Sequence, residues 1–349
     1  MGAEFRDRTA EQDWPALTTY LAATGRQLDP IPPRQFAGGA ANLNYLISVD
    51  GSPVVLRRPP PGQLAEGASD MSREWRVLST LPAHYPLAPQ GLLFCDDVAV
   101  LGAPFQLIEY REGQTIGGRL PPHLASRPHT GQALSRALVT ALAELHRLDP
   151  DTVGLATLGK PDGFLARQVE GWARRGEAAY EGSPPREVEA IVSRLRATVP
   201  GETTTSLIHG DLKLDNMIVD PETLAPVAVV DWDMATRGDP LFDLAVLLSY
   251  WVDESDPVDL RRIGQVPSLE AGFPSRAGLI DAYFTAAGAP RRDLAFVVTL
   301  ARLRLAIAWQ QLNQLYRRGA LSDPRYDEFA DVAQTILSWT ADTLDAPPL

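Results

Sequence analysis

Residues 9–24 place Trp14, Leu17 and Leu21 on one face at helical spacing, which predicts an amphipathic helix. The pattern then turns to strands. Phe36 leads into Gly38-Gly39-Ala40-Ala41-Asn42, and Tyr45–Val49 follows as a strand. Asp50-Gly51 is a hairpin signal, and Val54–Arg57 is the return strand. Residues 69–81 set Met71, Glu74, Trp75 and Leu78 on one helical face. Leu92–Phe94 and Phe105–Ile108 complete the strand candidates, and Glu109–Gly113 leaves the sheet as a linker. Beyond it the period becomes helical, over 130–147, 162–180, 185–197, 276–287, 291–317 and 324–343. Asp239-Pro240 opens a further helix, with Asp as N-cap and Pro at the first position. That helix, Leu241–Trp251, is apolar nearly all round and is expected to be buried. The expected class is α+β with two lobes. A small antiparallel sheet with one helix occupies 1–109, a linker 110–114, and a larger, mainly helical lobe 115–349.

Length and composition agree with two lobes, since 349 residues exceed one ordinary core and 45% hydrophobic content is that of a globular chain. The net charge of −12 argues against a nucleic-acid partner, which wants a basic face. An acidic surface suits cationic substrates, or simply solubility. The single cysteine, Cys95, excludes an intrachain disulfide and points to a reducing, cytoplasmic compartment. The first seven residues carry no apolar stretch, so no signal peptide is expected. Arg302 and Arg304 interrupt the apolar run Leu294–Trp309, leaving it short of the roughly 20 residues that span a bilayer. No membrane partner is expected.

The chemistry concentrates in His209-Gly210-Asp211-Leu212-Lys213-Leu214-Asp215-Asn216. This stretch matches the kinase catalytic loop H-x-D-L-x-x-x-N with Arg absent. Phosphoryl transfer needs a carboxylate to take or orient the attacking hydroxyl's proton, and an amide oxygen to hold magnesium on the phosphates. Asp211 and Asn216, five positions apart, are such a pair. The apolar run Val227–Val230 then ends in Asp231-Trp232-Asp233, where Asp231 is placed as the second magnesium ligand. Asp233 is either a further metal contact or a turn cap. Lys213 is either a cation that neutralises the phosphoryl group in transfer or a solvated lysine. His209 is expected to hold the loop, and Asp243 to accept backbone N–H bonds from it, because a lone buried carboxylate is costly.

Arg57 ends its strand where a kinase keeps the lysine that pairs with the α- and β-phosphates, and Glu74 is its expected ion-pair partner. Arg58, on the opposite face, is the alternative. Gly38, Gly39 and Asn42 lie in a loop that either covers phosphates or is a plain hairpin turn. The Glu109 carbonyl and Arg111 amide are positioned to pair with an adenine edge.

With these pieces assembled, the chain resembles the aminoglycoside phosphotransferase and choline-kinase-like family. It is similar in particular to the kinase-like domain fused to some acyl-CoA dehydrogenases. The matching stretches are GGAANLNYLI, VVLRRPP, SREWRVLSTL, LIEYREG, LAELHRLDP, LIHGDLKLDNMIVD and VVDWDMATRGDPLFDLA. The resemblance implies a protein-kinase-like fold, ATP with Mg2+, and transfer of the γ-phosphate to a hydroxyl of a small molecule. That molecule would be an aminoglycoside, a sugar or amino alcohol, or a hydroxyacyl thioester. Protein phosphorylation fits less well. The glycine of D-F-G is missing, the path from Asp231 to Asp239 leaves little room for an activation loop, and no A-P-E follows. A nucleotide-binding pseudokinase is the alternative, motivated by Arg at the lysine position.

Overall fold

The hairpin expected at Asp50-Gly51 forms in the computed structural model. The two residues turn with φ of +53° and +75°, a left-handed pair that suits Asp and Gly and matches the twist of the flanking strands. The structure describes residues 5–7, 9–37, 42–60, 71–201, 204–321 and 323–345. They group into two units that are each discontinuous in sequence. The first comprises Met1–Thr115, Asp151–Ala156 and Asn216–Ala235; the second comprises Ile116–Pro150, Thr157–Asp215 and Thr236–Leu349.

The first unit is built on an antiparallel sheet of β1 (Arg34–Gln35), β2 (Leu43–Val49), β3 (Ser52–Arg58), β4 (Gly91–Cys95) and β5 (Phe105–Glu109), in the order β1-β2-β3-β5-β4. Alternation along β3 divides its side chains between two faces. Val54 and Leu56 join Tyr45, Ile47, Val49, Phe105 and Leu107 in a core closed by Leu17 and Leu21 of helix Trp14–Ala23. Each such fully buried side chain contributes roughly 1.5–3 kcal/mol. Asp13 starts that helix by accepting from the Ala16 N–H, so it begins later than residue 9. Helix Met71–Leu78 turns Glu74 toward Arg57 of β3 and Gln106 of β5. The unit is completed by a ribbon pairing Met217–Val219 with Pro226–Val229, tied in by Val229 N donating to Leu87 O at 2.7 Å.

The second unit is mainly helical, with Thr130–His146, Phe164–Ala179, Arg186–Ala197, Pro240–Tyr250, Arg276–Ala287, Ala295–Arg317 and Phe329–Asp342 as its longer helices. Every residue from Leu241 to Leu248 is buried, as the all-round apolar pattern predicts. Asp239 caps that helix by accepting from Leu241 N. The helix expected from 291 starts at Ala295, whose N–H is taken by the Asp293 carboxylate. The one expected over 324–343 divides into a short 3-10 turn, Pro324–Asp327, and Phe329–Asp342. Short helical turns at Val98–Leu101, Pro122–Ala125 and Val258–Arg262 add to the expected elements; four or five residues are too few to display a period. Together the sheet unit and the helical unit make the expected α+β class. No helix among the described residues is long and apolar enough to cross a membrane.

Candidate active site

In the second unit, Asp211 sits in a loop held by hydrogen bonds from below. The Asp243 carboxylate accepts from His209 N at 2.7 Å and from Gly210 N at 2.8 Å. This is the support expected of it, and it explains how a fully buried carboxylate is tolerated. Asp243 also meets His146 Nε2 at 3.2 Å, while His146 Nδ1 contacts the Tyr283 hydroxyl at 2.8 Å. Gly210 has φ of +84°, a left-handed conformation that a side chain would strain. The Asp211 N–H donates to His209 Nδ1 at 3.2 Å, so the buried histidine ring holds the loop.

The Asp211 carboxylate is surrounded by donors. Lys213 Nζ donates to its Oδ2 at 2.6 Å; the Tyr250 hydroxyl at 3.2 Å and Arg304 Nη2 at 3.3 Å donate to its Oδ1. Arg304 also donates to the Gly210 carbonyl at 2.9 Å. Burial alone would raise the Asp211 pKa, but the positive charges of Lys213 and Arg304 outweigh it and pull the value down to about 2. Lys213 is 8% exposed, so the solvated alternative does not hold. Despite burial, its pKa is raised by Asp211 and Asp215, the latter 3.3 Å away. Tyr250 is pushed up to about 12 by burial and by the Asp211 charge.

A second cluster lies in the first unit. Arg57 Nε donates to Glu74 Oε2 at 2.8 Å, the expected ion pair. Its Nη2 also binds Asp231 Oδ1 and approaches Asp233 Oδ2 at 3.9 Å. Arg57 lies opposite Gln106 in the β3–β5 register, and the Gln106 amide donates to the same Glu74 oxygen at 2.5 Å. Trp232 N reaches the other Glu74 oxygen at 3.2 Å. Burial pushes the Glu74 carboxyl up, with the Arg57 charge opposing it. Arg57 stays cationic, because the Asp231 and Glu74 charges overcome its own burial. Arg58 faces the other way, bonding to Pro59 O, Gln12 Oε1 and Leu101 O. It is a buried tie within the unit, with its guanidinium occupied by these three acceptors.

Asn216 and Asp231 come together at one end of the short ribbon. Met217 pairs with Val229, and Val230 N donates to Asn216 O at 2.9 Å. Asp231 follows directly, with φ of +70°, and its side chain is 36% exposed. One amide and one carboxylate oxygen fit magnesium, which takes few protein ligands and leaves positions for phosphate oxygens. Among the described residues, no group of three or more His, Cys, Asp or Glu could hold a metal by itself. Asp233 lies in the short turn Trp232–Met234 and faces Arg57. Asn42 is buried; Gly38 and Gly39 lie outside the described residues. Glu109 N donates to Gln90 O at 2.8 Å, and the Glu109 carboxylate pairs with Arg111 at 2.7 Å.

Sequence reasoning missed Arg304, Tyr250, His146 and Gln106. Arg304 had a visible signal, a charge inside an apolar helical run, which requires a buried partner. Gln106 had none, since its role depends on strand register.

A catalytic-type loop supported by a buried aspartate in one unit, and a strand arginine paired to a helix glutamate in the other, are the features of a kinase-like phosphotransferase. Residues 33–292 match the family described as the phosphotransferase enzyme family, and the chain belongs to it. It is 32% identical over 268 residues to acyl-CoA dehydrogenase family member 10 of Mus musculus, a match covering 74% of this chain and 25% of that protein. The chain thus spans about a quarter of that relative's length. Among solved structures, one of a putative aminoglycoside phosphotransferase from Ralstonia eutropha superposes with a TM-score of 0.77 at 23% identity, covering 96% of this chain and 99% of that one. Another, an aminoglycoside phosphotransferase in ternary complex with ADP and hygromycin B, gives 0.60 at 16% identity, covering 94% and 98%.

Proposed function

We propose that the chain is an ATP- and magnesium-dependent kinase that transfers the γ-phosphoryl group to a hydroxyl of a small molecule. The observation that carries this reading is Asp211, oriented by Lys213, Tyr250 and Arg304 in a loop whose chain continues into Asn216 and the Asp231 ribbon end. In the reaction, the acceptor oxygen forms the new bond to phosphorus. The bond from the γ-phosphorus to the bridging oxygen breaks, and its electrons leave on ADP. The hydroxyl proton passes to Asp211. A carboxylate with a pKa near 2 is a weak base. Its first task is therefore to align the hydroxyl, with the proton moving late in a loose transition state.

Lys213 and Arg304 keep Asp211 ionised. Asn216 and Asp231 would hold Mg2+, which when bound neutralises charge on the phosphates. Arg57 would meet the α- and β-phosphates, held by Glu74, to which Gln106 also donates. Gly38, Gly39 and Asn42 would cover the phosphates, and the Glu109 carbonyl and Arg111 amide would meet the adenine edge. The solved relative with ADP supports adenine nucleotide use. The relatives' names suggest an aminoglycoside or an acyl thioester bearing a hydroxyl as acceptor.

The test is Asp211→Asn. Turnover should fall by roughly 10²–10⁴-fold, while ATP binding measured by calorimetry is kept; undiminished turnover would refute the assignment. One observation favours a second reading, a nucleotide-binding regulatory module: Arg57 is engaged by Asp231, the proposed metal ligand. On that reading the wild type turns over no acceptor, and Arg57→Lys gains activity.

A further inference from the structure

Charges around Asp211 in the helical unit are arranged in a way the catalytic assignment does not use. Arg304, which bonds to Asp211, is 7% exposed and sits with its guanidinium 5.9 Å from the centre of the Trp172 ring. Arg175, one turn along the same helix as Trp172, places its own guanidinium 4.7 Å from that ring. Taken together, the 4.7 and 5.9 Å distances put the two cations within about 11 Å of each other.

Two like charges on one indole repel unless something opposes them, and Arg304 has Asp211. Arg175 has no carboxylate partner among the described residues, and its pKa is lowered by burial and by the Arg304 and Arg174 charges. On the same helix Glu170 forms a two-point pair with Arg196, and just beyond it Glu181 pairs with Arg318. Trp172 is itself anchored through its Nε1 to Gln168 at 3.3 Å, which keeps the ring in place under Arg175. A solvent-exposed guanidinium fork resting on an aromatic face, without a carboxylate partner among the described residues, is matched to a planar oxyanion. A polycationic acceptor would instead meet Arg175 as a like charge.

Resting on the kinase reading above, we propose that the acceptor carries an oxyanion, carboxylate or phosphate, which Arg175 receives while Asp211 aligns the acceptor's hydroxyl. Arg175 is then the residue that sets acceptor charge, and Trp172 positions it.

The experiment uses the full chain, ATP and Mg2+, with acceptors in charge-matched pairs: short hydroxy acids against their primary amides, and sugar monophosphates against the parent sugars. An aminoglycoside serves as the cationic member. ADP release and mass spectrometry are the readouts. The anionic member of a pair should be preferred by at least tenfold in kcat/KM, and which pair shows it separates carboxylate from phosphate. Arg175→Gln should erase that preference through KM, with kcat and the KM for ATP unchanged, and Arg175→Lys should restore part of it. Arg186→Gln, at a side chain 92% exposed, should behave as wild type. Equal use of neutral or cationic members, or a preference that survives Arg175→Gln, overturns the proposal and leaves the kinase reading standing. If no acceptor in the panel is phosphorylated, calorimetry with inorganic phosphate and glycolate decides on the oxyanion site apart from the kinase reading. Binding lost in Arg175→Gln supports the oxyanion site; absent or unchanged binding overturns it.

Discussion

Asp211 and Glu74 are both carboxylates facing an arginine, and their environments push them in opposite directions. Burial raises both. Around Asp211, two cations and a tyrosine hydroxyl converge on one carboxylate and hold it ionised. Glu74 is 1% exposed and has Arg57 as its cation, but Arg57 is shared with Asp231 and Asp233. One positive charge divided among three acids does not reverse the desolvation of the most buried one. The ratio of cations to acids, more than burial, sets the direction in which each carboxylate is pushed.

The comparison can be broken most forcefully at the buried arginines. Arg57→Leu leaves Glu74 buried without its cation and should cost about 3–5 kcal/mol, the usual penalty for removing one partner of a buried pair. Urea unfolding measures it. A loss no larger than that of an exposed pair would mean that Glu74 is already neutral and needs no cation. Glu74→Gln should cost less, because the amide still accepts from Arg57 and removes an acid whose ionised form burial disfavours.

Lys213→Met sharpens the contrast through pH. A carboxylate whose folded pKa lies below its unfolded value stabilises the fold above about pH 4, and loses that contribution as pH falls toward 2. Removing Lys213, the largest lowering influence, raises the folded pKa and shrinks this contribution. The wild type should therefore lose more of its unfolding midpoint than the variant as pH falls from about 5 toward 2. Parallel curves for the two proteins would show that Lys213 does not control Asp211. For the same reason, Asp211 should produce no acid limb in the wild-type pH–rate profile above about pH 4.

Arg57→Lys should have a smaller effect, roughly 1–2 kcal/mol. It keeps the charge but loses the fork that reaches Glu74 and Asp231 together. At the bottom of the scale, Arg262→Ala removes an exposed pair with Glu328 at 2.6 Å and should change stability by less than about 1 kcal/mol. A large loss there would undermine the use of burial to rank these pairs.

Much of this architecture was legible along the chain. Leu241–Leu248 is buried because no face of that helix is polar, a property of the local pattern alone. The support of the loop by Asp243 was also readable, since a carboxylate inside such a helix must find donors and the loop's N–H groups are the nearest motif in need of one. Arg304 was visible only as an interruption of an apolar run. Its destination, Asp211, lies more than ninety residues away in sequence, and no local period encodes that distance.

The sequence by itself determined most of the longer elements, the order of the catalytic-type loop and the Asp231 strand end, and the residues proposed to hold a metal on phosphates. These depend on side-chain identity and on spacings of a few residues. Tertiary structure alone decided which charges meet: Arg57 with three acids, Asp211 with two cations and Tyr250, and Arg175 with Trp172 and no carboxylate among the described residues. Electrostatic energy depends on separation in space and on burial, and neither is a function of position along the chain.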